Sequence, residues 1–374
     1  MHDIGLIVLT GVSLLLLLLI VRVHWRARNV GTLLNIFWLF LGNLVYLVNA
    51  IVWWDNVENS APVWCDISTK MQNAFIGGLT ASTLCINKRL ADIAASRVVT
   101  TDQRRKRITL AVDLGLGLGL PVLCVILAYI VTPHRYNILE GYGCDAVVYS
   151  TIPTIFLVYC PPLIISCVSA GYGVTAGYAF LKRRLEFNAI LKQSKSALDR
   201  SHYIRLIALS STDLIISIPL TLYLLILAAT SPLEPWISWD NVHYGWSYVG
   251  LTPASTYLRT GANVAAFSLH RYLYPLLTFI FFLFFGVSDE AVNDYLRMFK
   301  TTRKLMTRGR KPTASLSFVP KLGSSVVQSA PIWGDEIIKE GVEPESASLS
   351  PIFAKNGPGQ QNLAVTVQVD REIV

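Results

Sequence analysis

The feature that most constrains this chain is a series of apolar runs, each about as long as a lipid bilayer is thick. Residues 4 to 23 are mostly Leu, Ile and Val, and residues 32 to 54 carry no charged side chain. A helix that spans a hydrocarbon core about 30 Å thick needs about 20 mostly apolar residues. Charged residues make up 15% of the chain, against about 25% in soluble domains. The sequence therefore predicts a protein that crosses a membrane several times.

Seven runs of this kind are expected to span the membrane as helices, at about 4–23, 32–54, 64–87, 108–131, 152–181, 206–229 and 264–286. Basic residues follow the first run rather than precede it, so we expect a retained helix and not a secretory signal. Pro161 and Pro162 predict a kink in the fifth run. The expected fold class is an all-α membrane protein with a seven-transmembrane helix bundle over residues 1–286.

The distribution of Lys and Arg predicts the orientation of this bundle. One alternating set of connecting segments carries 23 Lys and Arg residues and the other set carries 2. The basic set comprises 22–31, 88–107, 182–203 and 287–311. Cytoplasmic loops carry the excess of Lys and Arg, so the N-terminus is expected outside and the C-terminus inside. The same basic clusters attract anionic membrane lipids.

The chain changes character after the last apolar run. Residues 287–311 form a basic juxtamembrane segment, in which Ser288 to Lys304 is expected to form an amphipathic helix. The apolar side of that helix would comprise Val292, Tyr295, Leu296 and Phe299. Residues 312–374 are rich in Ser, Pro and Gly and contain too little apolar surface for a core. We expect them to form a disordered cytoplasmic tail.

Several function classes can be compared from the residues alone. Seven helices with long basic inner loops favour a receptor that couples to an intracellular protein. A polytopic transporter or channel remains the alternative, although no pair of homologous halves is visible. The apolar runs contain neither a His-Glu-x-x-His nor a Gly-x-Ser-x-Gly motif, so we expect no enzyme, metal or cofactor. The short basic clusters lie between apolar runs, which argues against nucleic acid as a partner.

Six blocks of sequence carry a resemblance to a known family. They are Leu84 to Ala94, His134 to Glu140 with Gly143 and Cys144, Pro161-Pro162, Tyr203 to Leu206, Trp239 to His243, and Phe281 to Gly286. Together they resemble fungal mating-pheromone receptors of the a-factor receptor type over about residues 1–300. The chain departs from the usual family pattern at Gly141, at Asp145-Ala146 and at Tyr272.

The resemblance implies a G-protein-coupled receptor in the plasma membrane that binds a farnesylated peptide mating pheromone. It implies a heterotrimeric G protein as the intracellular partner. The candidate ligand-binding residues, taken from the family blocks and from charges on the outer half of the bundle, are Asp66, His134, Arg135, Glu140, His243 and Arg271. The candidate G-protein-coupling residues, all basic and near inner helix ends, are Lys88, Arg89, Arg183, Arg184 and Arg205.

Two cysteines lie on the expected outer side, Cys65 at the start of the third span and Cys144 in the second outer loop. They would face an oxidising environment, where disulfides persist. The residues alone leave open two unpaired thiols, because spacing does not show that their Cα atoms approach within about 7 Å. The general receptor pattern, in which this loop is tied to the third span, favours a disulfide.

Ionisable residues inside a bilayer are costly and are functional candidates. Asp113 lies close to an inner end and is expected to snorkel, whereas Asp213 lies deeper and is expected to join an interior polar network. Arg271 lies about 10 Å below the outer end of the seventh run. Its expected partner is Asp66, Asp213 or a backbone carbonyl of the ligand. The alternative is that Arg271 snorkels outward beside Tyr272.

Overall fold

The computed structural model describes residues 3–26, 29–95, 103–190, 211, 213–259, 264–287, 291–297 and 300. The expected disordered tail, 312–374, lies outside them. The longer helices coincide with the predicted apolar runs, although most of 206–212 is not described. They are α1 (Ile4–Arg26), α2 (Val30–Val52), α3 (Pro62–Ala95), α4 (Gln103–Leu114, Gly115–Gly119 and Leu120–Ile130), α5 (Ile152–Thr154, Ile155–Tyr159 and Cys160–Ile190), α6 (Asp213–Ser217 and Ile218–Thr230) and α9 (Val264–Phe285). Two short helices, α7 (Trp239–His243) and α8 (Ala254–Arg259), lie between α6 and α9 in the sequence.

Four helical stretches are long and apolar enough to cross a membrane, namely Ile4–Trp25, Val30–Val52, Lys106–Ile130 and Ile152–Ala179. Two shorter apolar stretches, Ile215–Thr230 and Leu269–Phe285, lie on α6 and α9. The 34-residue helix α3 is longer than any of these but more polar. Large apolar side chains cover the outward surfaces of α1, α4 and α5, for example Leu15, Ile126 and Phe156, which are 57–64% exposed. This is the surface of a membrane protein, because lipid rather than water is the matching solvent.

Three of the described helices contain a π-helical turn that ends two residues before a proline. The turns are Gly115–Gly119, Ile155–Tyr159 and Asp213–Ser217, and the prolines are Pro121, Pro161 and Pro219. Proline lacks the backbone N–H and its ring displaces the carbonyl four residues earlier, which favours a wider turn there. In α4 the displaced carbonyl is that of Gly117, which accepts a 3.0 Å hydrogen bond from the Trp38 indole. The irregularity expected in the fifth run is therefore a π-helical turn.

The helices pack around an aromatic core in which α3 contacts α2, α4 and α5. Tyr46 of α2 stacks on Tyr274 of α9 with the ring centroids 5.3 Å apart. Two glycines permit this close packing. A Cβ atom at Gly42 would lie 2.4 Å from the Tyr274 ring, and one at Gly78 would lie 2.4 Å from Trp38. Larger residues at these positions would push the helices apart.

A small β-sheet corrects the all-α expectation. The strands β1 (Tyr136–Leu139) and β2 (Gly143–Asp145) form an antiparallel hairpin, and β3 (Val249–Thr252) pairs in parallel with β1. Strands of three or four residues are too short to show a clear alternating pattern in the sequence. The hairpin turn contains Gly141 and Gly143 at φ +74° and +86°, a region that favours glycine. We call the end of the bundle that carries this sheet the sheet end.

The segment after α9 is helical at residues 291–297, within the expected amphipathic helix. Val292 and Leu296 are 41% and 52% exposed, whereas Ala291 is fully buried. Phe299, the last residue of the expected apolar side, lies outside the described residues. The exposed apolar pair is consistent with a helix that lies on a membrane surface.

Candidate ligand-binding site

The expected disulfide is confirmed, and it anchors the sheet end of the bundle. Cys65, in the first turn of α3, is bonded to Cys144 of β2, with the two Cα atoms 5.2 Å apart. Both residues are fully buried and pack with Trp53, Tyr136 and Ile138. The bond therefore fixes the β1–β2 hairpin over the end of α3.

Two amide side chains hold the same strand in place. The carbonyl of Cys144 accepts hydrogen bonds from Asn49 (3.1 Å) and Gln72 (2.7 Å). Gln72 also accepts a 3.0 Å hydrogen bond from the backbone N–H of Ala146 through its side-chain oxygen. One side chain of α3 thus satisfies the backbone on both sides of Asp145. The position of Asp145 is fixed by contacts that do not involve its own carboxylate.

A cavity of about 320 Å³ lies beneath this hairpin, within the size range of small-molecule sites. Its polar lining includes Gln72, Asp145, Thr154, Thr221 and His270. Its apolar lining comes mainly from α5 and α6 and includes Ile155, Val158, Leu224 and Leu227. Tyr46, Tyr142 and Tyr159 also line it. The cavity combines a carboxylate and amides near the sheet with an aliphatic wall between the helices.

Burial changes the titration of two groups beside the cavity. Burial raises the pKa of the Asp145 carboxyl from its ordinary 3.8 to about 7. Burial and then the nearby Asp145 carboxylate raise the pKa of the Tyr142 hydroxyl well above its ordinary value. A carboxyl with a pKa near 7 changes its charge in the physiological range.

Asp66 and Arg135, two of the residues chosen from sequence for ligand binding, pair with each other. Two guanidinium nitrogens of Arg135 donate to the two carboxylate oxygens of Asp66 at 3.1 and 2.5 Å. The hydrogen bonds that Arg135 donates to Asp66 raise the pKa of Arg135 above its ordinary value. This fork-to-fork contact ties the start of β1 to α3. Asp66 is therefore engaged by Arg135 and is not the partner of Arg271.

His134, Glu140 and His243 also make contacts within the sheet end. His134 shares a 2.7 Å hydrogen bond with Asn137, and Glu140 accepts one of 2.9 Å from the backbone N–H of Ala254 at the start of α8. His243 stacks on Trp239 with the ring centroids 4.0 Å apart. None of the six sequence-chosen ligand residues is among the described residues that line the cavity. Their roles in ligand binding stay predictions.

Arg271 corrects the expected pairing in the seventh span. Its Nη1 donates to the carbonyl of Gly141 at 2.9 Å, and its Nη2 lies 3.7 Å from a carboxylate oxygen of Asp3. The guanidinium also lies 5.3 Å from the centre of the Tyr142 ring. Asp3 precedes α1 and accepts a hydrogen bond from Tyr272 as well. The partners of Arg271 are thus the N-terminal segment and the hairpin turn rather than Asp66. The N-terminal segment lies within reach because α1 and α9 are neighbours.

Replacing Arg271 by Lys should loosen the attachment of the hairpin turn and the N-terminal segment to α9. The planar guanidinium reaches Gly141 and Asp3 with two different nitrogens, and a single ammonium cannot hold both. We expect the melting temperature of the purified protein in lipid nanodiscs to fall by a few degrees, for a loss of about 1 kcal/mol. Asp3→Asn is the matched variant, because it weakens one arm only and should give a smaller effect. An unchanged melting temperature for Arg271→Lys would contradict a positioned role.

The opposite end of the bundle contains a buried ion pair that corrects the interpretation of Asp113. Asp113 of α4 is only 3% exposed, and its carboxylate lies 3.6 Å from Nζ of Lys88 on α3. Arg89, the next residue, donates a 3.3 Å hydrogen bond to Asn29 in the α1–α2 connection. Asp113 does not snorkel, because Lys88 neutralises it inside the bundle. The backbone of Arg183 and Arg184 belongs to α5, but their side chains lie outside the described part of the structure. The side chain of Asp213 lies outside it as well. Arg205 lies outside it entirely.

Sequence reasoning missed the polar lining of the cavity, which includes Gln72, Asp145 and His270. One signal was available for Gln72, since it lies seven residues after Cys65 and hence on the same face of α3. Asp145 follows Cys144 directly, so any disulfide to α3 places it at the bundle. Neither argument shows that a loop aspartate would be buried. That follows only from the way the hairpin folds inward.

Comparison with known proteins adds an independent observation. Residues 5–305 match the family described as Pheromone A receptor. The chain is 39% identical over 273 residues to the Pheromone B alpha 3 receptor of Schizophyllum commune, which covers 73% of this chain and 44% of that protein. It is 32% identical to Pheromone receptor 1 of Mycosarcoma maydis over 78% of this chain and 82% of that protein. It is 24% identical to the Pheromone a factor receptor of Saccharomyces cerevisiae over 75% and 58%.

No solved structure matches the chain. The chain spans about half the length of the Schizophyllum receptors that it matches. The match nevertheless covers every helix from α1 to α9. This protein belongs to the pheromone A receptor family.

Proposed function

We propose that this protein is a plasma-membrane G-protein-coupled receptor for a farnesylated peptide mating pheromone. The observation that carries the proposal is the family match over residues 5–305 in a chain whose sheet end covers a cavity of ligand size. Membership of a receptor family favours this function over the transporter or channel alternative. The named relatives are pheromone receptors, which favours signalling rather than catalysis.

The proposal includes a bundle of seven spans over residues 1–286, with the N-terminus outside and the tail 312–374 inside. The long apolar helices, together with α3, α6 and α9, supply the seven spans. The excess of Lys and Arg on one set of connections supports the orientation. In this orientation the disulfide and the β-sheet face the exterior. An oxidising exterior suits a disulfide, so the two arguments agree.

The lining of the cavity supports a ligand with both a lipid and a peptide part. The aliphatic wall of α5 and α6, with Val158, Leu224 and Leu227, offers an apolar surface for a prenyl chain. Each buried CH₂ contributes about 0.8 kcal/mol, so a prenyl group provides much of the binding free energy. Gln72 and Asp145 offer polar partners for the peptide. Arg135, Glu140 and the other sheet-end residues would then position the loops that surround the ligand.

The opposite end is the proposed site of G-protein coupling. Lys88 and Arg89 lie about two turns before the end of α3, and both are engaged with neighbouring segments. Ligand binding that favours a more open arrangement of the helices would release such contacts to an intracellular partner. Arg183, Arg184 and Arg205 belong to the connection between α5 and α6 and extend the same basic surface. These basic residues also favour contact with anionic lipid.

A panel of prenylated peptides tests the proposed function. The receptor is expressed in a heterologous host with a G-protein reporter, and each peptide is supplied with and without a farnesyl group. We expect at least one farnesylated peptide to activate the reporter and its unfarnesylated form to be at least 100-fold weaker, because the prenyl burial is lost. Equal responses to both forms would contradict the lipid part of the proposal. No response to any peptide, with ion or solute flux instead, would favour a transporter.

A further inference from the structure

We propose that the carboxylate of Asp145 binds a cationic group of the ligand, an amine or a guanidinium, inside the cavity beneath the hairpin. The inference deepens the proposed function, on which it rests, because it names the chemistry of the ligand at the same site. The geometry that carries it is a fixed backbone, an unneutralised carboxylate and an aromatic lining.

The backbone of Asp145 is held from several directions. The residue ends β2, where it pairs with Asn137 of β1. The preceding residue is bonded to α3 through the disulfide, and Gln72 contacts the peptide groups on both sides of Asp145. The carboxylate contributes to none of these contacts. The backbone position of Asp145 is therefore set by its surroundings, as is typical of a preorganised binding group.

The Lys and Arg side chains described at the sheet end are directed to other partners, and the remaining basic group in the cavity lining is the imidazole of His270. Arg271 contacts Gly141 and Asp3, Arg135 contacts Asp66, and Lys70 lies over the rings of Tyr129 and Trp246. Within the described residues no ion pair includes Asp145. Asp145 is half-buried at the cavity wall, and a carboxylate in such a place without a cation is unfavourable. A cation that enters the cavity would supply the missing charge.

Aromatic rings complete the environment of this carboxylate. Tyr46, Tyr142 and Tyr159 line the same cavity as Asp145. The face of a tyrosine ring attracts cations. Tyr142 already has Arg271 over its ring and Tyr46 stacks on Tyr274, so Tyr159 is the ring of this set with no described ring contact. Burial raises the pKa of Asp145 to about 7, in keeping with a carboxylate that has little water around it. A carboxylate and an aromatic ring that line the same cavity both favour a cation as the ligand group.

The first test uses the purified full-length chain in lipid nanodiscs and measures its melting temperature. The probes are N-acetyl-lysine amide and its neutral isostere N-acetyl-norleucine amide, at constant ionic strength and pH 8. We expect only the lysine probe to raise the melting temperature in a saturable manner, and Asp145→Asn to abolish the shift. The matched control is Asp240→Asn, since Asp240 is an exposed carboxylate on α7. Equal shifts from both probes, or an unchanged shift in Asp145→Asn, would overturn the proposal.

Two further arms identify the source of the cation. Norleucine amide has a free α-amine, which N-acetyl-norleucine amide lacks. If norleucine amide alone raises the melting temperature, the cation is a peptide N-terminus. N-acetyl-arginine amide tests a guanidinium in place of the lysine ammonium. Any of these three cations is consistent with the inference if Asp145→Asn removes its effect. A shift from none of them would overturn it.

The pH dependence provides an independent readout. The ionised carboxylate binds the cation, so binding of the lysine probe should weaken at least fivefold as the pH falls from 8 to 6, through the raised pKa of Asp145. The other titratable groups that line the cavity are Tyr46, Tyr142, Tyr159 and His270. His270→Gln should retain the pH dependence if Asp145 is responsible. Loss of the pH dependence in His270→Gln would assign it to the histidine and contradict the inference.

The stability of the ligand-free protein separates a binding role from a structural one. The pKa of Asp145 is higher in the folded state than its ordinary value, so the folded state is more stable below pH 7 and loses stability as the pH rises through 7. Asparagine mimics the neutral form. Asp145→Asn should therefore raise the melting temperature at pH 8 while it removes the response to the cation. A lower melting temperature would indicate a structural carboxylate and contradict the proposal.

A reporter experiment distinguishes failure of this inference from failure of the proposed function. Farnesylated peptides are made in pairs that differ only in one cation: Lys or Arg against norleucine at each position in turn, and a free against an acetylated N-terminus. The inference predicts that one of these cations increases the parent's response at least tenfold over its neutral counterpart and that Asp145→Asn removes this difference. If farnesylated peptides activate without any such difference, the inference alone fails. If no farnesylated peptide activates while the lysine probe still shifts the melting temperature, the proposed function alone fails.

Discussion

Replacing Cys65 by Ser should abolish the response to ligand and reduce the amount of receptor at the cell surface several-fold. The bond to Cys144 closes a loop with a sequence separation of 79 residues. In the chain-entropy account, opening a loop of this length costs about 4–5 kcal/mol of folding stability. The hairpin that covers the cavity would also lose its attachment to α3. Surface staining and a dose response in the G-protein reporter measure the two effects.

Other cysteine variants provide the controls for the effect expected of Cys65→Ser. Cys65→Ser, Cys144→Ser and the double variant should behave alike, because each removes the same bond. Cys167 is exposed on α5 and unbonded, so Cys167→Ser should leave surface level and response unchanged. If the Cys65→Ser receptor reached the surface normally and responded to the same ligand concentration as the parent, the hairpin would be held by its hydrogen bonds alone.

The helices were the most predictable part of this structure. Residues 4–23 and 264–286 form α1 and α9 at nearly the expected bounds, because long apolar runs leave the backbone no other way to satisfy its polar groups in lipid. The sheet was not predictable in the same way. β1 and β3 pair across more than 100 residues of sequence, and neither strand is long enough to show a period of two. Their pairing depends on which helices bring the loops together.

The residues that make interior polar contacts could be predicted from the sequence, but their partners could not. Arg271 was expected to have a partner, and its partner proved to be Asp3, a residue that precedes the first span. Asp113 was expected to snorkel to the inner membrane surface, and Lys88 holds it inside the bundle. Both outcomes depend on the rotation of neighbouring helices about their axes, which hydrophobic runs do not encode. Asp145 resembles an ordinary loop residue until the hairpin places it in the cavity.

The Lys88–Asp113 pair supports the second large prediction. Lys88→Gln removes the ion-pair partner of Asp113 and leaves only the more weakly coupled Arg89 to compensate its charge. Removal of one partner from a fully buried pair typically costs about 3–5 kcal/mol, and the cost here should be smaller because the Lys88 side chain is 24% exposed. We expect the single variant to reach the surface at a reduced level. Adding Asp113→Asn removes that charge and should restore the surface level, as measured by staining. Lys182 is exposed at the same end of the bundle, so Lys182→Gln is the matched control and should retain a normal surface level.

The double variant then separates the two roles proposed for Lys88. If the lysine only neutralises Asp113, the double variant, with neither charge present, should signal like the parent once it reaches the surface. The alternative is that opening of the helices releases Lys88 from Asp113 and makes it available to an intracellular partner. The ammonium is then needed in the active state to contact an acidic surface of that partner, and glutamine has no charge to replace it. We therefore expect the double variant to bind a farnesylated agonist with parental affinity and to lose at least nine-tenths of its reporter response. Full signalling at a restored surface level would show that Lys88 joins α3 to α4 and has no part in coupling.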